Sequence, residues 1–405
     1  MKQRIIFHID VNNAFLSWTA VKKLNNGENL DIRKIPSIIG GEEKERHGIV
    51  LAKSPVAKKF GIKTAETIYN AKKKCPNLKV FSPDFSWYYE ESNLMYNYLT
   101  QYTPLIERYS IDECFLDFTG TSRLYDDYLA LAYKIKNDIK NQFGFTVNVG
   151  IGNNKLCAKM ASDFEKPDKV HTLYSYEVKA KMWPLKVEDL FMVGKSSAET
   201  LKKIGIFKIG QLAMTDENKL RKYFKNQTTH LINSAKGIDY SEVAPRSNKS
   251  DSISISETLP YDCIDIDKIK EILFRQTAEV ARSLREQKQY AKTVAITYKN
   301  NMFESYQKQT KLSKPENSTV EIYKGIILIL QRSWREEPIR NIGVRLSDFT
   351  NDRTEQISIF QEEILEETDK MQEIVDNINK KYGTNSVIPA SIKMIGTSTR
   401  HKKPH

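Results

Sequence analysis

The amino-acid sequence predicts a multidomain α+β protein, on three observations. Residues 1–172 interleave short strand-like runs with helix-like segments, as a sheet flanked by helices requires. Residues 173–244 carry no strand signal. Residues 252–349 read β-α-β-β-α-β, the split βαβ order of an independent domain of about one hundred residues.

In chain order, Ile5–Asp10 alternates and ends on a carboxylate, which predicts a buried strand, and Phe15–Leu24 has helical spacing. Residues 18–80 stand as an insertion between that strand and the rest, with a lysine-rich helix near its end. Glu107–Ser110 and Glu113–Phe118 predict two strands joined at Ile111-Asp112. Ser122–Phe143 predicts a helix, Phe145–Ile151 a strand, and Asn154–Phe164 a helix that stops before Lys166-Pro167. Asp189–Leu201 predicts helix, tight turn, helix, and Gly205-Ile206 marks the next turn. The polar, breaker-rich run over 245–251 is the best linker. Beyond it, Ile253–Leu259, Thr293–Tyr298, Ser305–Leu312 and Ile342–Phe349 predict strands, and Asp267–Arg285 and Thr319–Trp334 predict helices.

The 405 residues are 40% hydrophobic and 28% charged, the composition of a folded chain. No run approaches the ~18–20 apolar residues of a membrane span. The apolar start is broken by His8 and Asp10, unlike a signal peptide. Cys75, Cys114, Cys157 and Cys263 lie far apart, against a disulfide framework or a zinc site, and a reducing cytoplasm is expected.

A net charge of +12 hints at a polyanionic partner. Six lysines between Lys58 and Lys74 face the single acid Glu66, and Arg282 to Lys314 carries a net +6. Asn351 to Asn377, by contrast, carries −7, so residues 1–350 hold the whole surplus. Two basic regions and an acidic tail exceed what an ordinary solvated helix face explains.

Asp10 closes the first strand, and Asp112-Glu113 sits at a later strand junction. Three acids ending neighbouring strands would crowd negative charge, at ~4 kcal/mol per pair ~4 Å apart for an effective dielectric of ~20. Hard divalent cations relieve such a cluster, and two of them can clamp an in-line phosphoryl displacement. Capping of a hairpin and of the following helix would use the same residues.

Ser110-Ile111-Asp112-Glu113-Cys114-Phe115-Leu116-Asp117-Phe118-Thr119-Gly120 resembles the signature of the Y-family DNA polymerases, the DinB and UmuC type of translesion enzymes. His8-Ile9-Asp10-Val11-Asn12-Asn13-Ala14-Phe15 resembles that family's first metal-binding segment. Val149–Asp163 with Lys166-Pro167 gives a third match, in the family's order and spacing. The resemblance covers residues 1–350 nearly throughout.

It implies a right-hand polymerase: a palm over 1–17 and 81–172, small fingers over 18–80, an all-α thumb over 173–245, and a β-α-β-β-α-β little finger over 250–350, followed by a tail over 351–405. Asp10, Asp112 and the Val11 carbonyl would ligate two Mg2+ ions, with Mn2+ as a substitute, and Glu113 would complete the site near the primer 3′-hydroxyl. Phe15 stands at the family's steric gate, where a ring beneath the sugar excludes a 2′-hydroxyl. Lys166 matches the family lysine that reaches the triphosphate of the incoming dNTP. In the fingers the usual tyrosine and arginine read Pro55 and Lys58, so Ser54, Lys53 or Lys58 would remake that contact.

Met192–Ala198 resembles a helix-hairpin-helix turn offering backbone N–H groups to a phosphate, with Gly194 and Lys195 at its centre and Met192 in place of the usual first glycine. Arg282, Arg285, Lys292 and Lys308 are the expected little-finger contacts to primer-template DNA, made without a base-reading code. Gln356-Ile357-Ser358-Ile359-Phe360 resembles the bacterial sliding-clamp pentapeptide, with Gln356 as polar anchor and Ile359 and Phe360 as the apolar plug. Thr368–Tyr382 follows as a predicted helix.

The resemblance implies a monomeric, non-proofreading polymerase that copies past lesions, with no membrane association. Two rivals share its fold: a non-catalytic, clamp-recruited DNA-binding scaffold, against which the intact acids speak, and a two-metal nuclease or cyclase, against which Phe15 and the thumb-like unit speak.

Overall fold

The computed structural model describes residues 4–41, 48–121, 123–245 and 250–352, together with 371, 374–378, 380–382 and 386–387. The described residues up to 245 form one compact unit, and those from 250 onward form another.

The first unit starts with strand β1 (Ile6–Val11), helix α1 (Ala14–Asn25), strands β2 (Ser37–Gly40) and β3 (Val50–Lys53), helices α2 (Pro55–Lys59) and α3 (Ile68–Lys74), and strand β4 (Lys79–Phe81). Helix α4 (Phe85–Leu99), strands β5 (Ile106–Arg108) and β6 (Glu113–Asp117), helix α5 (Tyr128–Phe143), strand β7 (Val147–Gly152), helix α6 (Lys155–Asp163) and strand β8 (Val170–Leu173) follow. Five of these strands form one sheet in the order β5-β6-β1-β7-β8, and β3-β2-β4 form a small second sheet. Because β4 runs over Lys79–Phe81 beside β2, the inserted sheet ends at Phe81, and the expected boundary at residue 80 falls inside a strand. The helix expected from Ser122 begins at Tyr128, where the Asp127 carboxylate accepts from the Leu129 and Ala130 amides and caps it.

Every residue of β1 is buried, so both faces of the sheet are covered. Phe7, Ile9 and Val11 point one way, into a core with Trp18, Tyr88, Leu116, Ile135 and Val149. The alternate residues Ile6, His8 and Asp10 point the other way, as do Phe115 and the cross-strand partner Glu113. Helix α6 covers that second face. Gly150 and Gly152 let it settle on β7: a Cβ at Gly150 would collide with the Ala158 carbonyl and the Ser162 amide.

The helical stretch comprises α7 (Val178–Lys181), α8 (Lys195–Lys203), α9 (Ile209–Ala213), α10 (Glu217–Phe224) and α11 (Thr228–Ala235). Its core includes Leu156, Cys157 and Met160 of α6, so α6 is shared between the sheet and the helices. The predicted first helix of the hairpin at Asp189 is a single 3-10 turn over Val187–Asp189, because the chain must reverse at Leu190–Val193 before α8. Met192 takes a left-handed φ of 69°, the conformation for which a glycine is preferred, and is exposed.

The second unit is β9 (Ser252–Cys263), α12 (Ile266–Glu286), β10 (Tyr290–Asn300), β11 (Ser305–Glu316), α13 (Thr319–Ser333) and β12 (Ile339–Thr350), as the alternation predicts. Its sheet runs β11-β10-β12-β9, antiparallel throughout. Ile255, Val344, Ile296 and Lys308 lie in one cross-strand row, and Ile253, Leu346, Val294 and Thr310 in the next. Those apolar residues pack beneath α12 and α13. The rows between them face away from the helices: Ser254, Arg345, Ala295 and Gln309, then Ser256, Gly343, Thr297 and Gln307, with Thr258, Asn341, Lys299 and Ser305 at one end and Ser252, Ser347, Thr293 and Lys311 at the other. That face is built of small polar residues and the cations Lys299, Lys311 and Arg345.

Candidate active site

Asp10 and Glu113 are cross-strand partners on the face under α6, where alternation along β1 and β6 sets them side by side. Asp112 precedes β6, and its carbonyl accepts from the Val11 amide at 3.0 Å, which ties the two strand ends together. The three acids therefore converge on one end of the sheet, but their side chains divide. The Lys159 ammonium on α6 lies 3.2 Å from Asp10, 2.6 Å from Glu113 and 3.3 Å from Asp163. Lys166 lies 3.0 Å from Asp10 and 2.8 Å from Asp163. Asp112 instead accepts from the Ser110 hydroxyl at 2.6 Å.

Two ammonium groups thus balance the carboxylates. Among the described residues no three His, Cys, Asp or Glu side chains already stand in a metal-ligating group. The donor set nonetheless fits a hard cation: three carboxylates of low exposure and strand-end carbonyls, with no sulfur, and with the imidazole on the same face of β1 engaged by a hydroxyl of α6. That imidazole, His8, is fully buried, with Nδ1 2.8 Å from the Ser162 hydroxyl. Burial, then the charge of Lys159, pushes its pKa far down, so it stays neutral.

The carboxylates titrate unlike one another. Burial raises Asp10, but Lys166 and Lys159 outweigh it and leave its pKa below the ordinary range. Burial and the hydrogen bond with Asp10 push Glu113 up, against Lys159. Burial and the charge of Asp10 lift Asp112 despite the Ser110 hydroxyl.

Asn12 and Asn148, both buried, hold this end of the sheet together. Asn12 Oδ1 accepts from the Asp168 amide at 2.9 Å and the Thr146 hydroxyl at 3.0 Å, and its Nδ2 donates to Asn148. Asn148 Nδ2 donates to the Ser162 and Glu165 carbonyls, which fixes the turn carrying Lys166. Sequence reasoning missed Lys159 and this asparagine pair. The one local trace was a lysine set among the small and apolar residues of Leu156–Ser162, a trace that does not separate it from a solvated helix lysine.

Phe15, in the first turn of α1, is half-buried and stacks on Tyr88 at 4.7 Å between centroids, with Phe85 edge-on at 6.0 Å. Ser54 is fully buried; it caps α2 by accepting from the Ala57 amide and donates to the Ile35 carbonyl. Its hydroxyl is committed to the fold, which removes it from the nucleotide contacts. Lys58 is exposed, and burial together with the charge of Lys58 lowers the pKa of Lys53 beside it. Gly194 caps α8 in an extended conformation, and a Cβ there would meet nothing within 4 Å, so the α8 N-terminus and the exposed Lys195 are open to an anion.

In the four-stranded domain, two expected DNA contacts are corrected. Arg285 makes a two-pronged ion pair with Asp376, beyond the sheet, at 2.7 and 2.9 Å and donates to the Asn317 carbonyl, so its guanidinium is used within the second unit. Lys308 shares its row with core residues and points to the helix side, whereas Lys311, Lys299 and Arg345 stand on the helix-free face. Lys292 is exposed, and Arg282 is half-exposed on α12. Residues 356–360 lie outside the described residues, and the predicted helix over 368–382 is described only in part, as helix at 371, 374–378 and 380–382.

The impB/mucB/samB family matches residues 9–163, and the C-terminal domain of that family matches residues 250–359. A DNA polymerase IV of Clostridium acetobutylicum is 46% identical over 385 residues, covering 95% of this chain and 97% of that one. A DNA polymerase IV of Clostridium kluyveri is 34% identical, covering 96% and 98%. DNA polymerase IV 2 of Bacillus subtilis is 33% identical, covering 96% and 95%. Among solved structures, a Y-family DNA polymerase chimera superposes with a TM-score of 0.73 at 22% identity, over 86% of this chain and all of that one. No described helix is long and apolar enough to cross a membrane.

Proposed function

The chain belongs to the impB/mucB/samB family and is a bacterial Y-family DNA polymerase of the DinB type, and on that premise we propose how its residues divide the work. It extends primer-template DNA with dNTPs, without proofreading, in translesion synthesis and repair, and the scaffold reading is not favoured. We propose the subdivision into palm, fingers, thumb, little finger and tail given above, with the inserted sheet running to Phe81.

The single observation that carries the site assignment is the pairing of Asp10 with Glu113 on the face under α6, with Asp112 tied to β1 beside them. The enzyme uses divalent metal ions. We propose two Mg2+ ions, with Mn2+ as a substitute, held by Asp10, Asp112 and the Val11 carbonyl, and with Glu113 nearest the primer end. When bound, such ions make the 3′-hydroxyl more acidic and offset charge on the α-phosphate and pyrophosphate.

Lys166 is paired with Asp10 and Asp163 and is the ammonium best set to turn toward a triphosphate, with Lys53 and Lys58 as its counterparts in the fingers. Phe15, braced by Tyr88, acts as the steric gate. The α8 N-terminus at Gly194 and Lys195 holds a DNA phosphate. Lys311, Lys299 and Arg345, with Lys292, hold the duplex backbone, whereas Arg282, on α12, stands on the helix side and leaves that expected set. Gln356, Ile359 and Phe360 recruit the bacterial sliding clamp; the protein works as a monomer in the cytoplasm.

Primer extension tests these assignments together. Wild type should add dNTPs only when Mg2+ or Mn2+ is present, and Asp112→Ala should lose at least about 10^3-fold in rate while still binding DNA. Phe15→Ala should admit ribonucleotides, and truncation after Thr350 should keep basal synthesis but lose stimulation by the clamp. Primer shortening by the wild type would instead identify a nuclease.

A further inference from the structure

The helix side of the four-stranded domain treats its cations in two ways. Most are paired: Arg275 with Glu257, Arg340 with Asp262, Arg285 with Asp376, Lys324 with Glu321, and Lys268 and Lys270 with acids one turn away. Lys308, Arg332 and Arg335 have no carboxylate within ion-pair distance among the described residues, and all three line one cleft of about 320 Å3 between β11 and α13. Gln309, Thr310 and Ser333 line it too, the two hydroxyls donating to the Lys311 and Ile329 carbonyls, and Leu328 forms an apolar wall.

Simpler explanations account for these cations one at a time. Lysines on an edge strand discourage sheet-to-sheet aggregation, and β11 is an edge strand, which covers Lys308. A cation in the last turn of a helix complements its dipole, which covers Arg332. Neither explains Arg335, which lies beyond α13, nor why cations from a strand, a helix and the turn after it meet around one hollow. All three are exposed, so water screens most of their repulsion; what stands out is their convergence around a hollow whose lining holds no acid.

We propose that this cleft, at the β11 edge of the domain beside α13, is a second binding site for the phosphodiester backbone of a nucleic-acid strand, apart from the cations Lys299, Lys311 and Arg345 of the sheet's polar face. Two arginine forks and one ammonium match phosphate oxygens. The lining holds no aromatic ring on which a base could stack and no acid to hold a ribose hydroxyl, so it is suited to backbone rather than to a free nucleotide. Lys308 belongs to this site. The proposal rests on the polymerase reading only in taking nucleic acid as the source of the phosphate.

The test is anisotropy of a labelled single-stranded oligonucleotide with the full chain across a salt series. Arg332→Gln with Arg335→Gln should weaken binding on the order of tenfold and flatten the log–log salt slope by about 1.4, two contacts at ~0.7 each. Lys268→Gln with Lys324→Gln removes the same charge from paired positions and should leave both unchanged. Equal losses in the two pairs, or no loss in the first while its melting curve is intact, would overturn the site. Inorganic tripolyphosphate at matched ionic strength should not reduce wild type to the variant's affinity; if it does, the cleft takes free polyphosphate and the strand assignment is wrong. Primer extension by the wild type, run alongside, tells a failure of this site from a failure of the polymerase reading.

Discussion

The larger sheet and the four-stranded sheet follow the same period-two alternation, yet they handle charge in opposite ways. In the larger sheet helices cover both faces, so the side chains that β1 and β6 turn toward α6 are enclosed with their counter-charges. Lys159 is only 8% exposed and touches three carboxylates. In the four-stranded sheet the helices cover one face, and Lys299, Lys311 and Arg345 stand on the other among Ser, Thr, Gln and Gly. Enclosed charges interact strongly, are costly to separate and are shielded from salt; exposed ones are cheap to move and heavily screened. One region is therefore suited to holding a reaction centre to a fixed geometry, and the other to gripping a strand that must slide.

The largest effect should come from breaking the enclosed network. Lys159→Met leaves Glu113 and Asp10 short of a buried partner and should cost about 3–5 kcal/mol in denaturant unfolding with EDTA present. A loss under about 1 kcal/mol, the range of exposed pairs, would erase the contrast.

Glu91 on α4 sharpens it from the other side. It is 4% exposed, and burial, helped by Glu90, lifts its pKa from 4.5 to about 7. A carboxyl raised in the folded state costs nothing below its unfolded value and costs more as pH climbs from about 4.5 through about 7. Glu91→Gln should therefore stabilise the protein by about 1–3 kcal/mol at pH 8 and have little effect at pH 4. A difference that is flat with pH would show that Glu91 has a partner or water in solution.

The smallest effect on stability should come from the exposed face. Lys311→Gln with Arg345→Gln should leave the melting temperature within a degree or so, since surface substitutions fall within ±0.5 kcal/mol. Duplex binding, however, should lose about 1.8 from its log–log salt slope, ~0.9 for each phosphate contact. An unchanged slope would move the duplex off this face.

The same contrast accounts for what could be read in the sequence. The β-α-β-β-α-β order was legible because its helices cover one face only, so alternation between Ile and Ser or Thr survives along β9, β10 and β12. The convergence of Asp10, Asp112 and Glu113 was legible because each ends or adjoins an otherwise apolar strand, but capping would use the same acids, and only the resemblance of the surrounding motifs set the metal reading above it. Lys159 was hidden because a lysine in a helix is ordinarily solvated, and only the approach of α6 to β7 buries it. Lys308 and Arg285 were misassigned because charge density carries no face: a row partner, Ile296, and a counter-ion, Asp376, decide it, and both lie far along the chain. Ser54 was misread despite a local clue, since Ser before Pro is the pattern of a capped helix start.

The bare seat at Gly150, where α6 rests on β7 with no side chain between them, has a genetic consequence. A single methyl group there would work as a shim, lifting Lys159 and Ser162 together, and every clearance along the helix with them. What looks like a set of separately adjustable contacts is machined to one gap. Random mutagenesis scored for loss of synthesis should therefore recover Gly150→Ala, a change at a residue with no side chain, alongside changes in the acids themselves.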